Sequence, residues 1–220
     1  MPSSLLPTVF DVLLQTAAPQ RRRSVPERSP ACSLMMEHGL AERVMLVYDR
    51  VIKEWKSGEE VDLSLVNRTA KIAKSSLSGC HERNEERCLF PVFKEEGYLS
   101  EMVEALERQH EAGREVTDKI IDLSSPGRIK DETHMNVLMT LCRSYIFMYR
   151  PHMSRENSEL FPRLPEIATR EAISDITRKM SAATKDVIGE QGFAGSLRDL
   201  AEIEHSLGIH DVRGFTIGYE

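Results

Sequence analysis

The chain has 220 residues, enough for one well-packed domain, so its length does not require a second. Its net charge of -6 comes from 35 acidic and 29 basic residues mixed along the sequence, which argues against a nucleic-acid-binding surface. No run of about 18 apolar residues is present, so we expect no transmembrane helix and no membrane partner. Four scattered cysteines without a C-x-x-C pair argue against a cysteine zinc site and favour reduced thiols in the cytoplasm.

The first 33 residues differ in character from the rest, because prolines recur and three arginines follow one another at positions 21–23. The apolar stretch from Leu5 to Leu14 carries Asp11 and precedes these arginines, the reverse of the order in a secretory signal. We therefore predict a flexible N-terminal extension over residues 1–33 and one domain over residues 34–220.

Two helices are predicted in the first half of that domain. Apolar residues recur at helical spacing from Leu34 to about Trp55, in a segment that carries His38 near its start. Asp62 is a candidate N-cap for a second helix, which runs to a Leu-Phe-Pro sequence at positions 89–91. Gly79 inside this second helix is expected to mark a kink.

Two further helices complete the predicted bundle. Ser100 is the candidate N-cap of a third helix, which carries His110 and closes at a Ser-Ser-Pro-Gly turn. A fourth helix begins near Asp131 and carries His152, and Pro151 should bend it.

Beyond residue 165, two shorter helices are predicted over about 170–187 and 194–207, and we expect the segment 166–220 to cap the bundle. No segment with strand periodicity competes with these helices, and the connections are short. The predicted fold is therefore all-α, an antiparallel four-helix bundle whose core spans residues 34–162.

One phrase occurs twice in the chain, as His81-x-x-x-Glu85 and as His152-x-x-x-Glu156, each followed by Leu-Phe-Pro at the same offset. Residues four apart lie on one face of a helix, so each phrase can direct an imidazole nitrogen and a carboxylate oxygen at a common point. Each phrase is therefore a candidate half of a metal site.

Two more histidines match these phrases in position. His38 lies 43 residues before His81, and His110 lies 42 residues before His152. The chain thus consists of two similar helix pairs, and we predict one metal centre shared by four helices. His134, His205 and His210 fall outside the matched offsets and are not predicted to be ligands.

The chemistry of a buried metal pair favours this set of residues. Two divalent irons bring four positive charges into the core, which carboxylates must neutralise while imidazoles coordinate. Glu85 and Glu156 are the candidates to bridge two metals about 3.5–4 Å apart. Glu82 lies about 100° round the helix from His81, so it joins the site only if the helix is rotated or kinked.

Other side chains near the phrases have alternative roles. Glu86 and Glu159 are predicted to be solvated or to hydrogen-bond a ligand from outside. Tyr145 and Tyr149 precede His152 on the fourth helix, where each either packs in the core or donates a hydrogen bond to a ligand or to bound oxygen.

These phrases, together with residues 36–40 and 109–113, resemble the hemerythrin-like, His-His-Glu (HHE) cation-binding domain. The likeness covers roughly residues 34–162. It implies a four-helix bundle with a non-haem di-iron centre, bridged by two carboxylates and an oxo or hydroxo group, that meets dioxygen or a related small molecule. Manganese would accept the same ligands. The matched ligand positions are His38, His81, Glu85, His110, His152 and Glu156.

Two departures separate this chain from the oxygen-carrying members. Leu106 stands where a carrier has a second histidine on the third helix, and Glu156 replaces an aspartate one position further along, where this chain has Asn157. A carboxylate-rich centre favours the ferric state, which weighs against reversible oxygen carriage. Two functions remain open: binding of dioxygen or a relative in oxygen, iron or redox homeostasis, and enzymatic reduction of peroxide or nitric oxide. A metal-free bundle is disfavoured because converging ionisable groups are costly to bury.

Overall fold

A computed structural model describes residues 29–218, which form six helices and contain no strand. Four helices make an antiparallel bundle, and two more pack on one side of it, so the fold is the predicted all-α four-helix bundle with additional C-terminal helices. The extension predicted over residues 1–33 lies almost entirely outside the described residues. No described helix has the length and apolarity needed to cross a bilayer.

The first two helices begin at capped positions. Helix α1 spans Pro30–Lys56 and starts about one turn before the predicted Leu34, because the Ser29 side chain accepts a hydrogen bond from the Cys32 backbone N–H. Helix α2 spans residues 63–95. Its predicted cap is present, since the Asp62 carboxylate accepts from the Ser64 backbone N–H at 2.9 Å.

Helix α3 spans Ser100–Leu123, and its N-cap is Leu99 rather than the predicted Ser100. Leu99 has a φ of 53°, in the left-handed region, where the chain turns sharply out of α2. Helix α4 begins with Glu132–Arg155, is capped by Asp131, and continues through residues 156–167. It passes through Pro151 without ending.

Helices α2 and α4 each contain a π-helical turn at the repeated phrase. Glu85–Leu89 in α2 and Glu156–Leu160 in α4 are π-helical, and the backbone N–H of the following Phe donates to the carbonyl of Glu85 or Glu156, five residues back. The proline after each Phe lacks an N–H and would clash with a regular helical turn, which accounts for the wider one. A third π-segment, Ala73–His81, contains Gly79, the position at which a kink was predicted.

The two C-terminal helices, α5 (Arg170–Ile188) and α6 (Gly192–Ser206), lie against the α1–α2 side of the bundle. Along α6, Ser196 hydrogen-bonds Ser76 at 2.6 Å, and Glu202 pairs with Arg68 at 3.1 Å. Because the contacts run in opposite order along the two helices, α6 is antiparallel to the start of α2. The segment thus covers a side of the bundle.

The bundle interior has two apolar clusters with a polar layer between them. The larger cluster fills the interior towards Tyr48 and Tyr145, and the smaller one contains Phe90, Phe161 and Leu106. The histidines and glutamates of the repeated phrases lie at this boundary, so apolar packing on both sides sets their height along the helices.

Candidate metal centre

Six of the seven predicted ligands converge in the middle of the bundle, and all six are buried. They form two groups that share both glutamates, and within each group the candidate ligand atoms lie within 4.8 Å of one another. The groups are His38, His81, Glu85 and Glu156, and His110, His152, Glu85 and Glu156.

The histidines meet in the pairs that the sequence offsets predict. Nε2 of His38 lies 3.1 Å from Nε2 of His81, and Nε2 of His110 lies 3.2 Å from Nε2 of His152. Two nitrogen ligands at right angles on one metal, each about 2.1 Å from it, are about 3.0 Å apart. The spacing of each pair therefore suits one cation.

Each buried glutamate divides its two oxygens between the histidine pairs. The Glu85 oxygens lie 3.5 Å from His81 Nε2 and 3.4 Å from His110 Nε2. The Glu156 oxygens lie 3.2 Å from His38 Nε2 and 3.2 Å from His152 Nε2. None of these four oxygens has a hydrogen-bond partner, although both side chains are fully buried. Unpaired buried carboxylates are costly, and cations between the histidine pairs would satisfy them.

The Nδ1 atom of each of the four candidate histidines contacts a side-chain oxygen, in a pattern that repeats between the two helix pairs. The residues directly before His38 and His110 contact the histidines of α2 and α4. The residues directly after Glu85 and Glu156 contact the histidines of α3 and α1. A proton on each Nδ1 would leave the Nε2 lone pair free for a metal. The Nδ1-to-oxygen distances are His81–Glu37 2.9 Å, His152–Gln109 2.8 Å, His38–Asn157 2.8 Å and His110–Glu86 3.2 Å.

The phenylalanine of each repeated phrase covers a histidine of the opposite half. Phe161 stacks on His38 with ring centroids 5.6 Å apart, and Phe90 stacks on His110 at 5.6 Å. The repeated Leu-Phe-Pro ending therefore has a physical role. It widens the helical turn and places an aromatic ring over an imidazole, which restricts how the imidazole can rotate.

The outer carboxylates differ in their pKa. Burial raises the pKa of Glu37 to about 8. Burial also acts to raise the pKa of Glu86, but contacts with His110 and Arg114 outweigh it and lower that pKa to about 2. Burial and the neighbouring Glu156 raise the pKa of Glu85, as expected for two close carboxylates without a cation.

Glu82 lies beside the six converging side chains and has other partners. Its Oε1 accepts a hydrogen bond from the Tyr149 hydroxyl at 2.6 Å, and its Oε2 accepts one from Arg114 at 3.0 Å. Among residues 29–218, Glu82 groups geometrically only with Glu86 and His110, where Arg114 already contacts both carboxylates. The structure thus places Glu82 outside both four-residue groups.

The three remaining histidines lie away from the centre. His134 hydrogen-bonds the cap residue Asp131 at 2.8 Å, while His205 and His210 stack on each other with centroids 4.4 Å apart. Leu106 stands at the position where an oxygen carrier has an additional histidine, and it packs in the smaller apolar cluster. Glu159 pairs with Arg155 on the surface.

A cavity of about 280 Å³ opens between α1, α2 and α5 beside the centre. Its lining includes Glu37 and Asn84, which directly precede His38 and Glu85 in the chain. Thr184 of α5 lines the same cavity and accepts a hydrogen bond from Asn84 at 3.1 Å. The cavity thus reaches Glu37, whose carboxylate contacts His81, from the side that α5 borders.

Several residues around the site were not predicted from the sequence. They are the outer partners Glu37, Gln109 and Asn157, the stacked Phe90 and Phe161, Gly113 beside Tyr149, and Arg114 beside Glu82. A polar residue directly before or after each predicted ligand was the available signal for the first three.

A helical bundle with two histidine pairs and two shared carboxylates defines a class of cation-binding protein. The chain belongs to the family described as hemerythrin HHE cation binding domain, whose model matches residues 32–164. Cation binding by the four-helix core therefore rests on family membership as well as on geometry.

The similar curated proteins come from mycobacteria. They include the uncharacterized proteins Rv1995 and MT2051 of Mycobacterium tuberculosis and Mb2018 of Mycobacterium bovis. Each is 29% identical over 194 residues, which cover 88% of this chain and 76% of the relative. The similarity thus extends beyond the four-helix core. No solved structure matches the chain significantly.

Proposed function

We propose that the chain holds a non-haem di-iron centre that binds dioxygen or a related small molecule in oxygen, iron or redox homeostasis. His38 and His81 would hold one iron, and His110 and His152 would hold the other. Glu85 and Glu156 would bridge the two irons, with an oxo or hydroxo group completing the centre. The main support for this proposal is that each of these carboxylates directs one unpaired, buried oxygen at each histidine pair. Manganese fits the same donors.

The ligand count leaves room for a small molecule at each metal. Two imidazole nitrogens and two bridging carboxylate oxygens give each cation four protein ligands, fewer than the six of an octahedral iron or manganese site. When bound, the irons supply open coordination positions and one-electron redox chemistry. The cavity beside Glu37 would let dioxygen, peroxide or nitric oxide reach the carboxylate that contacts His81. The four unpaired thiols are consistent with a reducing cytoplasmic location.

A second candidate function is enzymatic, the reduction of peroxide or nitric oxide with electrons from an external donor. It is favoured by Leu106, which leaves the third helix without an additional histidine, and by Tyr149, an oxidisable phenol that contacts His152 with centroids 5.5 Å apart. Both features suit a centre that undergoes net redox chemistry better than one that binds oxygen reversibly.

The first experiment measures iron in protein reconstituted without oxygen. Wild type should hold close to two irons per chain, whereas His81→Ala and Glu156→Ala should lose the dinuclear centre. His205→Ala should retain it, because His205 lies away from the site. An iron content near zero in wild type would refute the proposal.

The second experiment separates the two functions by visible absorption, recorded first without oxygen and then in air. A band that appears in air and disappears when oxygen is removed indicates reversible binding. Turnover of added peroxide or nitric oxide, with irreversible oxidation of the iron, indicates the enzyme.

A further inference from the structure

Tyr149 lies between the candidate metal centre and the apolar core. Its ring contacts that of His152 with centroids 5.5 Å apart, and on its other side lies Tyr145 at 4.4 Å. Tyr149 is only 5% exposed. An electron leaving this phenol towards the metals would therefore have one imidazole to cross, and water is excluded from its ring.

The phenol has a single carboxylate partner at short range. The Tyr149 hydroxyl donates to Glu82 Oε1 at 2.6 Å, and Glu82 is 2% exposed. The other Glu82 oxygen accepts from Arg114, which keeps the carboxylate oriented. This pair provides what a buried phenol needs to be oxidised, because a phenol that loses an electron must also release its proton to a nearby base.

The position of the phenol depends on a glycine in α3. A Cβ added at Gly113 would lie 1.8 Å from the Tyr149 hydroxyl oxygen and 2.5 Å from the ring carbon that carries it. Any larger residue would therefore displace the hydroxyl from Glu82. The chain thus combines a close phenol, a buried base and the space to hold them together.

We propose that Tyr149 is a redox-active residue that gives one electron to the oxidised metal centre while its proton moves to Glu82 Oε1. This inference rests on the proposed di-iron function. Glu82 then accepts the proton of Tyr149 and is not a metal ligand.

The electrons and protons balance for dioxygen as oxidant and ferrous ion as the additional reductant. Reduction of one dioxygen to two waters takes four electrons and four protons. Two ferrous ions of the centre supply two electrons, a further ferrous ion in solution supplies the third, and Tyr149 supplies the fourth. The phenolic proton stays on Glu82, the four protons of the two waters come from solvent, and a neutral tyrosyl radical remains.

The experiment loads the full chain with ferrous ions without oxygen, adds a small excess of ferrous ion, mixes it with air-saturated buffer and freezes samples at intervals. Electron paramagnetic resonance should detect a narrow radical signal in wild type, and ring-deuterated tyrosine should narrow its hyperfine pattern. Tyr149→Phe should lose the signal, and Glu82→Gln should lose or strongly reduce it. Tyr98→Phe is the matched control, because Tyr98 lies in the exposed turn before α3 and should leave the signal unchanged.

Iron content and the visible absorption of the oxidised centre are measured on the same samples. If wild type forms the oxidised centre without a radical, the tyrosine proposal is wrong while the di-iron function stands. A radical that survives in Tyr149→Phe and disappears in Tyr145→Phe also overturns the assignment. Failure to bind iron overturns the proposed function and this inference with it.

Discussion

Replacing Gly113 by alanine is expected to destabilise the protein although the residue lies inside a helix. An exposed helical glycine gains about 1 kcal/mol of stability on replacement by alanine. At Gly113 the new methyl group would lie 1.8 Å from the Tyr149 hydroxyl. Displacing this side chain loses a hydrogen bond to a buried carboxylate, about 1.5–3 kcal/mol, and adds about 1–3 kcal/mol of overpacking. The net expected loss is roughly 1.5–5 kcal/mol.

Gly39 provides the matched control, because it also lies within a helix and no atom would come within 4 Å of its added Cβ. Thermal unfolding of Gly113→Ala and Gly39→Ala, compared at equal iron content, should shift Tm in opposite directions. For a chain of this size, about 1 kcal/mol corresponds to about 2–4 °C. A rise in Tm for Gly113→Ala similar to that for Gly39→Ala would refute the proposed packing of Tyr149.

Three further predictions follow from the site and the core. Glu82→Gln should retain about two irons per chain by metal analysis, and loss of one iron would make Glu82 a ligand. Removing iron with a chelator should lower Tm by roughly 8–16 °C if the free iron concentration had been about a thousandfold above the Kd of the site. Burial raises the pKa of Cys142 to about 12, so its thiolate is scarce at pH 8; iodoacetamide should therefore modify exposed Cys32 first, as peptide mass spectrometry can test.

The pairing of ligands could be predicted because it depends on helical periodicity and on matched distances along the chain. A histidine and a glutamate four apart must share a helix face, and nearly equal offsets in two antiparallel helix pairs match His38 with His81 and His110 with His152. Neither inference needs knowledge of how the helices pack in detail.

The surroundings of the ligands could not be predicted, because they depend on rotation and distortion of the helices. A regular helix directs Glu82 about 100° away from His81, but this says nothing of Tyr149, which comes from another helix and reaches Glu82 only because α3 has a glycine there. The left-handed Leu99 at the start of α3 also gave no sequence signal, since leucine rarely adopts that conformation.

The sequence by itself thus determined the all-α class, the four helices of the bundle and the two repeated candidate half-sites, since these follow from spacing along single helices. Only the tertiary structure decided which atoms face one another. It divides the oxygens of Glu85 and Glu156 between two histidine pairs and stacks Phe161 on His38. It also brings the Tyr149 hydroxyl within hydrogen-bond distance of Glu82. The physical reason is that contacts between helices depend on packing volumes and on π-helical turns, which no periodicity within one helix encodes.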